Sequence, residues 1–165
     1  MKKIVLLGSG NEQINAIKIA NNLGYYVISL DSNPAAPGAK FSDSFFQCDI
    51  SSAKSVYEIV KNLKIDGIMV HAIELSNVVA EVSEKLGLPG ITREVAINAT
   101  NKLKRLEILK KNHIPCAEFS SAIDVYEAKN AAKNIGYPVV IKPVDNAGSR
   151  GVIQIKNSEK MEQYF

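Results

Sequence analysis

A lysine, an arginine and two glycines lie in one short segment, KPVDNAGSRG, which runs from residue 142 to residue 151. Gly148 and Gly151 permit positive φ angles and a close approach of the backbone to a ligand. No proline interrupts residues 145–151, here called the glycine loop, so every amide there can donate a hydrogen bond to an anion. With the charges of Lys142 and Arg150, this segment has the chemistry that binds a polyphosphate. The same residues also fit an ordinary hairpin with a long loop and a solvent-exposed lysine.

Two short runs of β-branched residues flank the segment. Val139, Val140 and Ile141 precede it, and residues 152–155 resume an apolar pattern after it. Such runs favour β-strands, so the sequence predicts a strand, the glycine loop and a second strand. Lys142 shares a strand face with Val140 and Val144, because successive side chains of a strand point to opposite faces.

A cationic helix start precedes this hairpin along the chain. Asn101 is a helix-capping residue type, and it predicts a helix over about residues 102–112 with Leu103, Leu106 and Leu109 as its buried stripe. The first turn carries cations that oppose the helix dipole, at a cost of about 0.3–1 kcal/mol each, namely Lys102, Lys104 and Arg105. This placement is typical of a turn that directs positive charge at an anion, but also of a solvated lysine-rich face. The next helix is expected to begin at a Ser121 cap, with Asp124 as its partner.

The first part of the chain alternates between strand-like and helix-like patterns. Strands are expected at residues 4–7, 26–30, 44–48 and 67–70, and helices at residues 11–23, 52–63 and 75–86. This alternation predicts a doubly wound, Rossmann-like parallel sheet of four or five strands in an α/β fold. The pattern changes after Gly90, which predicts a first domain over residues 1–95 and a small α+β lobe over residues 96–165.

A second, weaker nucleotide signal lies at the end of the first strand. Gly8 and Gly10 match two glycines of the dinucleotide fingerprint, and Asp31 stands where a ribose-binding acid is found. The third glycine of that fingerprint is replaced by Gln13. An NAD(P)-dependent oxidoreductase therefore remains an alternative, beside a tight turn that binds no nucleotide.

The composition narrows the function classes. The chain has 165 residues and a net charge of +3, with its lysines spread out, which does not indicate nucleic-acid binding. No apolar run reaches 18 residues, so no transmembrane helix is expected. Cys48 and Cys116 are isolated, which fits a reducing compartment, and a cytoplasmic location is expected. His71 and His113 have no ligand partner at metal spacing, so neither a metal site nor a catalytic residue can be assigned.

Three segments together resemble the ATP-grasp superfamily. They are Asn101-Lys102, the run LKKNHIPCAEF and the run YPVVIKPVDNAGSRGV, and they are most similar to the branch of the carbamoyl-phosphate synthase large chain and biotin carboxylase. The runs VLLGSG, SLDSNPAAPG and GLPG resemble the pre-ATP-grasp domain that precedes such enzymes. The resemblance covers essentially all 165 residues. Relatives often have glycine at the position of His113, which predicts an altered helix end here.

The resemblance implies the following binding residues. Lys102 and Lys142 would contact the phosphates of ATP. The glycine loop would close over the β- and γ-phosphates with Asp145, Asn146, Ala147, Gly148, Ser149, Arg150 and Gly151. The family reaction uses ATP to activate a small carboxylate as an acyl phosphate, which an amine or another nucleophile then attacks.

The resemblance also bears on completeness. Relatives continue into a second lobe that supplies the adenine pocket and the acidic Mg²⁺ ligands, so this chain is expected to be the front part of a ligase and inactive alone. A truncated protein and half of a split enzyme completed by a partner chain both remain open, as does a homodimer. A non-catalytic nucleotide-binding module is the remaining alternative.

Overall fold

The structure is a computed structural model that describes residues 1–146 and 148–165. It contains two compact units, residues 1–97 and residues 98–165. Each unit has its own secondary structure and its own apolar core. Within the described residues, no helix has both the length and the apolar character needed to cross a membrane.

The first unit is built on a parallel sheet of four strands. The strands are β1 (Lys3–Leu7), β2 (Tyr26–Asp31), β3 (Ser44–Gln47) and β4 (Gly67–Val70), in the order β3-β2-β1-β4. Every neighbouring pair is parallel, which confirms the expected Rossmann-like α/β class. Because the strand order reverses at β1, the loops after β1 and β4 meet at a topological switch point.

The helix α1 (Ile14–Asn22) follows β1, α2 (Ala53–Val60) follows β3, and both α3 (Ser76–Leu86) and α4 (Arg93–Thr100) follow β4. A 3₁₀ turn at Asn11–Gln13 leads into α1, and a second one at Ala39–Phe41, without an α-helix, joins β2 to β3. The Ser52 hydroxyl caps α2 by accepting a hydrogen bond from the amide of Ser55 at 3.3 Å. A serine at this position satisfies one of the amides that a helix start leaves without a partner.

The strands of this sheet bury both of their faces. On one face Val5 and Leu7 of β1 are fully buried with residues of α2 and α3. On the other face Leu6 lies with Ile17 of α1 and Val27 of β2. This division follows the two-residue period of a strand, and each fully buried aliphatic side chain contributes about 1.5–3 kcal/mol.

The second unit is a small α+β lobe. Its elements are α5 (Lys102–Lys111), α6 (Val125–Ile135), β5 (Val139–Ile141), β6 (Ile153–Ile155) and α7 (Ser158–Tyr164). Strands β5 and β6 pair antiparallel, with Val140 opposite Gln154. Ile155 of β6 and Met161 of α7 are buried in a core against two alanines of α6. The hairpin therefore has one covered face and one face turned to solvent.

The start of α6 differs from the expected one. Asp124, not Ser121, is the N-cap, and its carboxylate accepts a hydrogen bond from the amide of Glu127 at 2.8 Å. The carboxylate of Glu127 in turn accepts from the amide of Ile123 at 3.0 Å. Glu127 stands three residues after the cap, the spacing of a capping box, but its carboxylate binds the amide of Ile123 and not that of the N-cap residue.

The stripe expected on α5 is also less buried than the sequence indicates. Leu103, Leu106 and Leu109 are half-buried, and none of the residues of α5 is fully buried. Tertiary contacts decide how far a helix face is covered, and the 3.6-residue period alone does not report that coverage.

His113 ends α5 in a left-handed conformation, with φ of 57°. Its amide donates to the carbonyl of Lys110 at 3.1 Å, and the amide of Ile114 donates to the carbonyl of Leu109 at 2.9 Å. These two bonds form a Schellman motif with His113 at the position where glycine is favoured. A histidine there has a Cβ close to the following carbonyl oxygen.

We expect His113→Gly to raise the free energy of unfolding by about 1 kcal/mol, because glycine adopts the left-handed conformation without that steric cost. Urea unfolding followed by circular dichroism measures the change. His113→Ala is the matched control, since alanine keeps the Cβ, and it should give no gain. A glycine variant no more stable than the alanine variant would contradict this account of the helix end.

Cys48 follows β3 near two carboxylates. Burial, with smaller effects of Asp49 and Asp31, raises the pKa of the Cys48 thiol to about 11. The raised pKa favours the neutral thiol in the folded protein. Since the thiolate is the nucleophile, Cys48 should react slowly until the pH approaches that value.

We expect iodoacetamide at pH 8 to alkylate Cys48 about 100-fold more slowly in the folded chain than in urea. The reason is that an ordinary cysteine thiol has a pKa of 9.0, whereas the pKa of Cys48 in the folded protein is about 11, so far less thiolate is present. Peptide mass spectrometry follows the modification of Cys48. Asp49→Asn should accelerate the reaction in the folded chain, since one negative charge is removed. Equal rates in the folded and unfolded chain would show that the thiol is not shielded.

Candidate functional site

The hairpin β5–β6 positions Lys142. Val139 and Ile141 are half-buried against the core of the second unit, whereas Val140 is 55% exposed and Val144 is 42% exposed. Lys142 lies between these two valines in the alternation and is exposed with them. The strand period thus places its ammonium group on the solvent face, beside the glycine loop.

The start of α5 is attached to the same hairpin. The side chain of Asn101 caps α5 by accepting from the amide of Lys104 at 3.0 Å, as the sequence predicts. The amide of Lys102 donates to the carbonyl of Val144 at 2.8 Å. The ammonium group of Lys102 donates to the carbonyl of Asn146, inside the glycine loop. Two predicted site residues far apart in sequence are therefore in direct contact.

The glycine loop turns through a left-handed stretch. Gly148, Ser149 and Gly151 have φ angles of 64°, 58° and 74°. A Cβ on Gly151 would stand 2.9 Å from Cγ of Pro143, a contact that real side chains do not make. The end of the loop is therefore closed by Pro143 and Gly151, and only glycine fits there. A Cβ on Gly148 would meet nothing within 4 Å.

The remaining predicted residues lie on the surface. Asp145, Asn146, Gly148, Ser149, Arg150 and Gly151 are exposed, and Ala147 falls outside the described residues. No hydrogen bond or ion pair of the Lys142 ammonium group occurs within residues 1–146 and 148–165. An exposed loop with cations around it can bind an anion with several oxygen atoms.

Two features of this site are absent from the sequence prediction. Pro143 lies so near Gly151 that an added Cβ would stand 2.9 Å from its ring, and no spacing rule reports this. The contact of Lys102 with Asn146 joins positions 44 residues apart, so only the tertiary structure brings them together. The two glycines and the absence of prolines within residues 145–151 are the sequence signals that point to a role for the loop backbone.

The switch point of the first unit gives the oxidoreductase alternative no support. The carboxylate of Asp31 accepts from the amides of Ser9 at 2.7 Å and of Asn33 at 2.9 Å, so backbone groups occupy both of its oxygens. Gln13 is buried, and its side-chain amide donates to the carbonyl of His71 at 2.7 Å. The position at which the fingerprint has its third glycine therefore carries a buried, hydrogen-bonded side chain next to Gly10.

The described residues offer no metal centre. No group of three or more His, Cys, Asp or Glu side chains within residues 1–146 and 148–165 is placed to hold a metal ion. The residues described therefore do not fit a Mg²⁺ site by themselves. Asp145 in the glycine loop is a lone exposed carboxylate.

Comparison with known protein families gives two matches that together cover the chain. Residues 1–104 match the family described as the ribonucleotide synthetase preATP-grasp domain. Residues 101–165 match the family described as the carbamoyl-phosphate synthase L chain, ATP binding domain. The second match contains α5, the β5–β6 hairpin and the glycine loop.

Individual relatives agree with these matches. The formate-dependent phosphoribosylglycinamide formyltransferase of Prochlorococcus marinus (strain NATL2A) is 30% identical over 163 residues, which are 98% of this chain and 42% of that protein. The carbamoyl phosphate synthase large chain of Thermotoga petrophila is 27% identical, over 99% of this chain and 16% of that protein. The crystal structure of phosphoribosylglycinamide synthetase from Anaerococcus prevotii superposes with a TM-score of 0.74 at 28% identity, over 99% of this chain and 41% of that one.

The chain thus spans less than half the length of these relatives. The resemblance seen in the sequence is confirmed, as is the fold class. The chain belongs to the ATP-grasp superfamily, with a pre-ATP-grasp domain followed by the N-terminal part of an ATP-grasp domain.

Proposed function

We propose that the chain is the front part of an ATP-dependent ligase that activates a small carboxylate as an acyl phosphate for attack by an amine or another nucleophile. The observation that carries the proposal is the contact between Lys102 and the glycine loop, inside a segment that matches an ATP binding domain. The name of one relative includes formate, the smallest carboxylate, which supports a small carboxylate as the substrate class.

The proposed roles follow from charge and position. ATP supplies the phosphoryl group. Lys102 and Lys142 neutralise its phosphate oxygens, and Arg150 adds a third cation at the far side of the glycine loop. The loop amides, exposed and without proline, donate to the β- and γ-phosphates. Holding the phosphates by charges fixed in advance stabilises the charge that develops during phosphoryl transfer.

We assign the parts of the active site that residues 1–165 do not supply to other segments of the whole protein. In this proposal the Mg²⁺ ligands belong to the rest of the whole protein or to a partner chain. We place the whole protein in the cytoplasm, with domain limits of 1–95 and 96–165, and we leave a homodimer open. Residues 1–165 alone should neither hydrolyse ATP nor ligate a substrate, and turnover by this part at enzymatic rates would refute the proposal.

We expect Lys142→Ala in the whole protein to lower kcat/KM for ATP by about 100- to 1,000-fold, as expected when one donor to a developing charge is lost. Steady-state kinetics of ATP hydrolysis with the carboxylate substrate measures it. Lys156→Ala is the control, because Lys156 is exposed in the same lobe just after β6 and outside the glycine loop. Activity unchanged by Lys142→Ala would remove that residue from the site. A whole protein that binds ATP without any turnover would support the non-catalytic module instead.

The fit between Gly151 and Pro143 gives a second test. Both Gly148→Ala and Gly151→Ala place a Cβ at positive φ, which costs about 1–2 kcal/mol in each case. Only Gly151→Ala also collides with a ring, at 2.9 Å. We therefore expect Gly151→Ala to weaken ATP binding about tenfold more than Gly148→Ala, as measured by calorimetry on the whole protein.

The double variant Pro143→Ala/Gly151→Ala separates these effects. Removal of the ring should restore most of the difference between the two glycine variants. If the double variant binds ATP no better than Gly151→Ala, the collision with Pro143 is not the cause of the loss.

A further inference from the structure

One residue of α5 reaches the hairpin twice. The amide of Lys102 donates to the carbonyl of Val144 at 2.8 Å, and its ammonium group donates to the carbonyl of Asn146. The two accepting carbonyls belong to Val144 and Asn146, on either side of Asp145. Lys102 therefore holds the chain at the start of the glycine loop.

The second of these bonds is unusual for a lysine at a helix start. A cation there opposes the helix dipole and is normally turned to water. Lys102 is instead half-buried, while its neighbour Lys104 is exposed. The bond from an ammonium group to a carbonyl is charge-assisted, which makes it stronger than a bond between neutral groups. It fixes the main chain of Asn146, whatever side chain that residue carries.

The two ends of the glycine loop are held by different means. At the far end, Gly151 lies against Pro143, and the amide of Val152 donates to the carbonyl of Ser149 at 3.3 Å. At the near end, Lys102 holds the carbonyl of Asn146. Gly148, Ser149 and Arg150 between these ends are exposed, and Gly148 has open space beside it. The position of the near half thus depends on the charge of Lys102.

We propose that Lys102 is a positioning residue for the glycine loop, which its ammonium group fixes through the Asn146 carbonyl before any nucleotide is bound. This inference rests on the proposed function for its purpose, which is to present the loop amides to an incoming polyphosphate. A loop ordered in advance does not have to be ordered at the moment of binding. Lys102 then acts on the nucleotide through the loop as well as through its own charge.

The test is limited proteolysis of the whole protein without nucleotide, with tryptic cleavage between Arg150 and Gly151 as the readout. Lys102→Met has a similar length and no charge, and we expect this peptide bond to be cut about tenfold faster in it, because a charge-assisted bond that holds the loop is lost. Lys102→Arg keeps donors at the tip and should restore slow cleavage. Lys104→Met is the control on the adjacent turn and should leave the cleavage rate unchanged. Circular dichroism reports whether each variant is folded.

The outcomes separate this inference from the proposed function. Equal rates of cleavage after Arg150 in the wild type and in Lys102→Met refute the positioning role, even if calorimetry shows that Lys102→Met has lost ATP affinity. Faster cleavage in Lys102→Met that Lys102→Arg reverses supports the positioning role, even if ATP affinity proves unchanged and the nucleotide role of Lys102 fails. If Lys102→Met does not fold, Lys102→Gln repeats the comparison with a neutral polar side chain.

Discussion

The hydrogen bond between the amide of Lys102 and the carbonyl of Val144 is the constraint on which the candidate site depends. It attaches the first turn of α5 to the segment that follows β5. The hairpin of β5 and β6 packs one of its faces against a small apolar core. An amide in the first turn of a helix has no partner within that helix, so it is free to make such a bond. The attachment places the cationic first turn of α5 next to the glycine loop. Without it, the charges of α5 and the glycine loop would be two unrelated surface features.

The fold was largely predictable because its elements follow simple periods. The residues of β1 and β2 alternate between the two buried faces of the sheet, and the residue types of the strands and helices reveal that division directly. The caps at Ser52 and Asn101 were also readable, since their side chains act within three residues. The N-cap of α6 was predicted at Ser121, three residues before the observed cap at Asp124. Two patterns overlap there, Ser121 with Asp124 and Asp124 with Glu127, and both have the spacing of a cap and an acid three residues later, so residue types alone do not decide between them.

The site was predictable only in part. The glycine loop, Lys142 and Lys102 were chosen from residue types and from family resemblance, and the structure joins two of them directly. Residue types could not report that Lys102 is bonded to a carbonyl, because this bond depends on where α5 meets the hairpin. Nor could they distinguish Gly148, which has open space beside it, from Gly151, which lies under a proline ring. Both glycines look alike in the sequence and differ only in their neighbours.

The switch point of the first unit carries a consequence for how this domain can change during evolution. A Cβ on Gly8 would stand 2.6 Å from Cδ1 of Ile73, and the side chain of Gln13 is bonded to the carbonyl of His71. The loops after β1 and β4 are therefore interlocked at two points. Position 8 also has a φ of 92°, so a side chain there is strained whatever residue the facing loop carries, and glycine should persist at it. Replacement of Gln13 by glycine, the residue of the dinucleotide fingerprint, would take away the donor that the carbonyl of His71 now has.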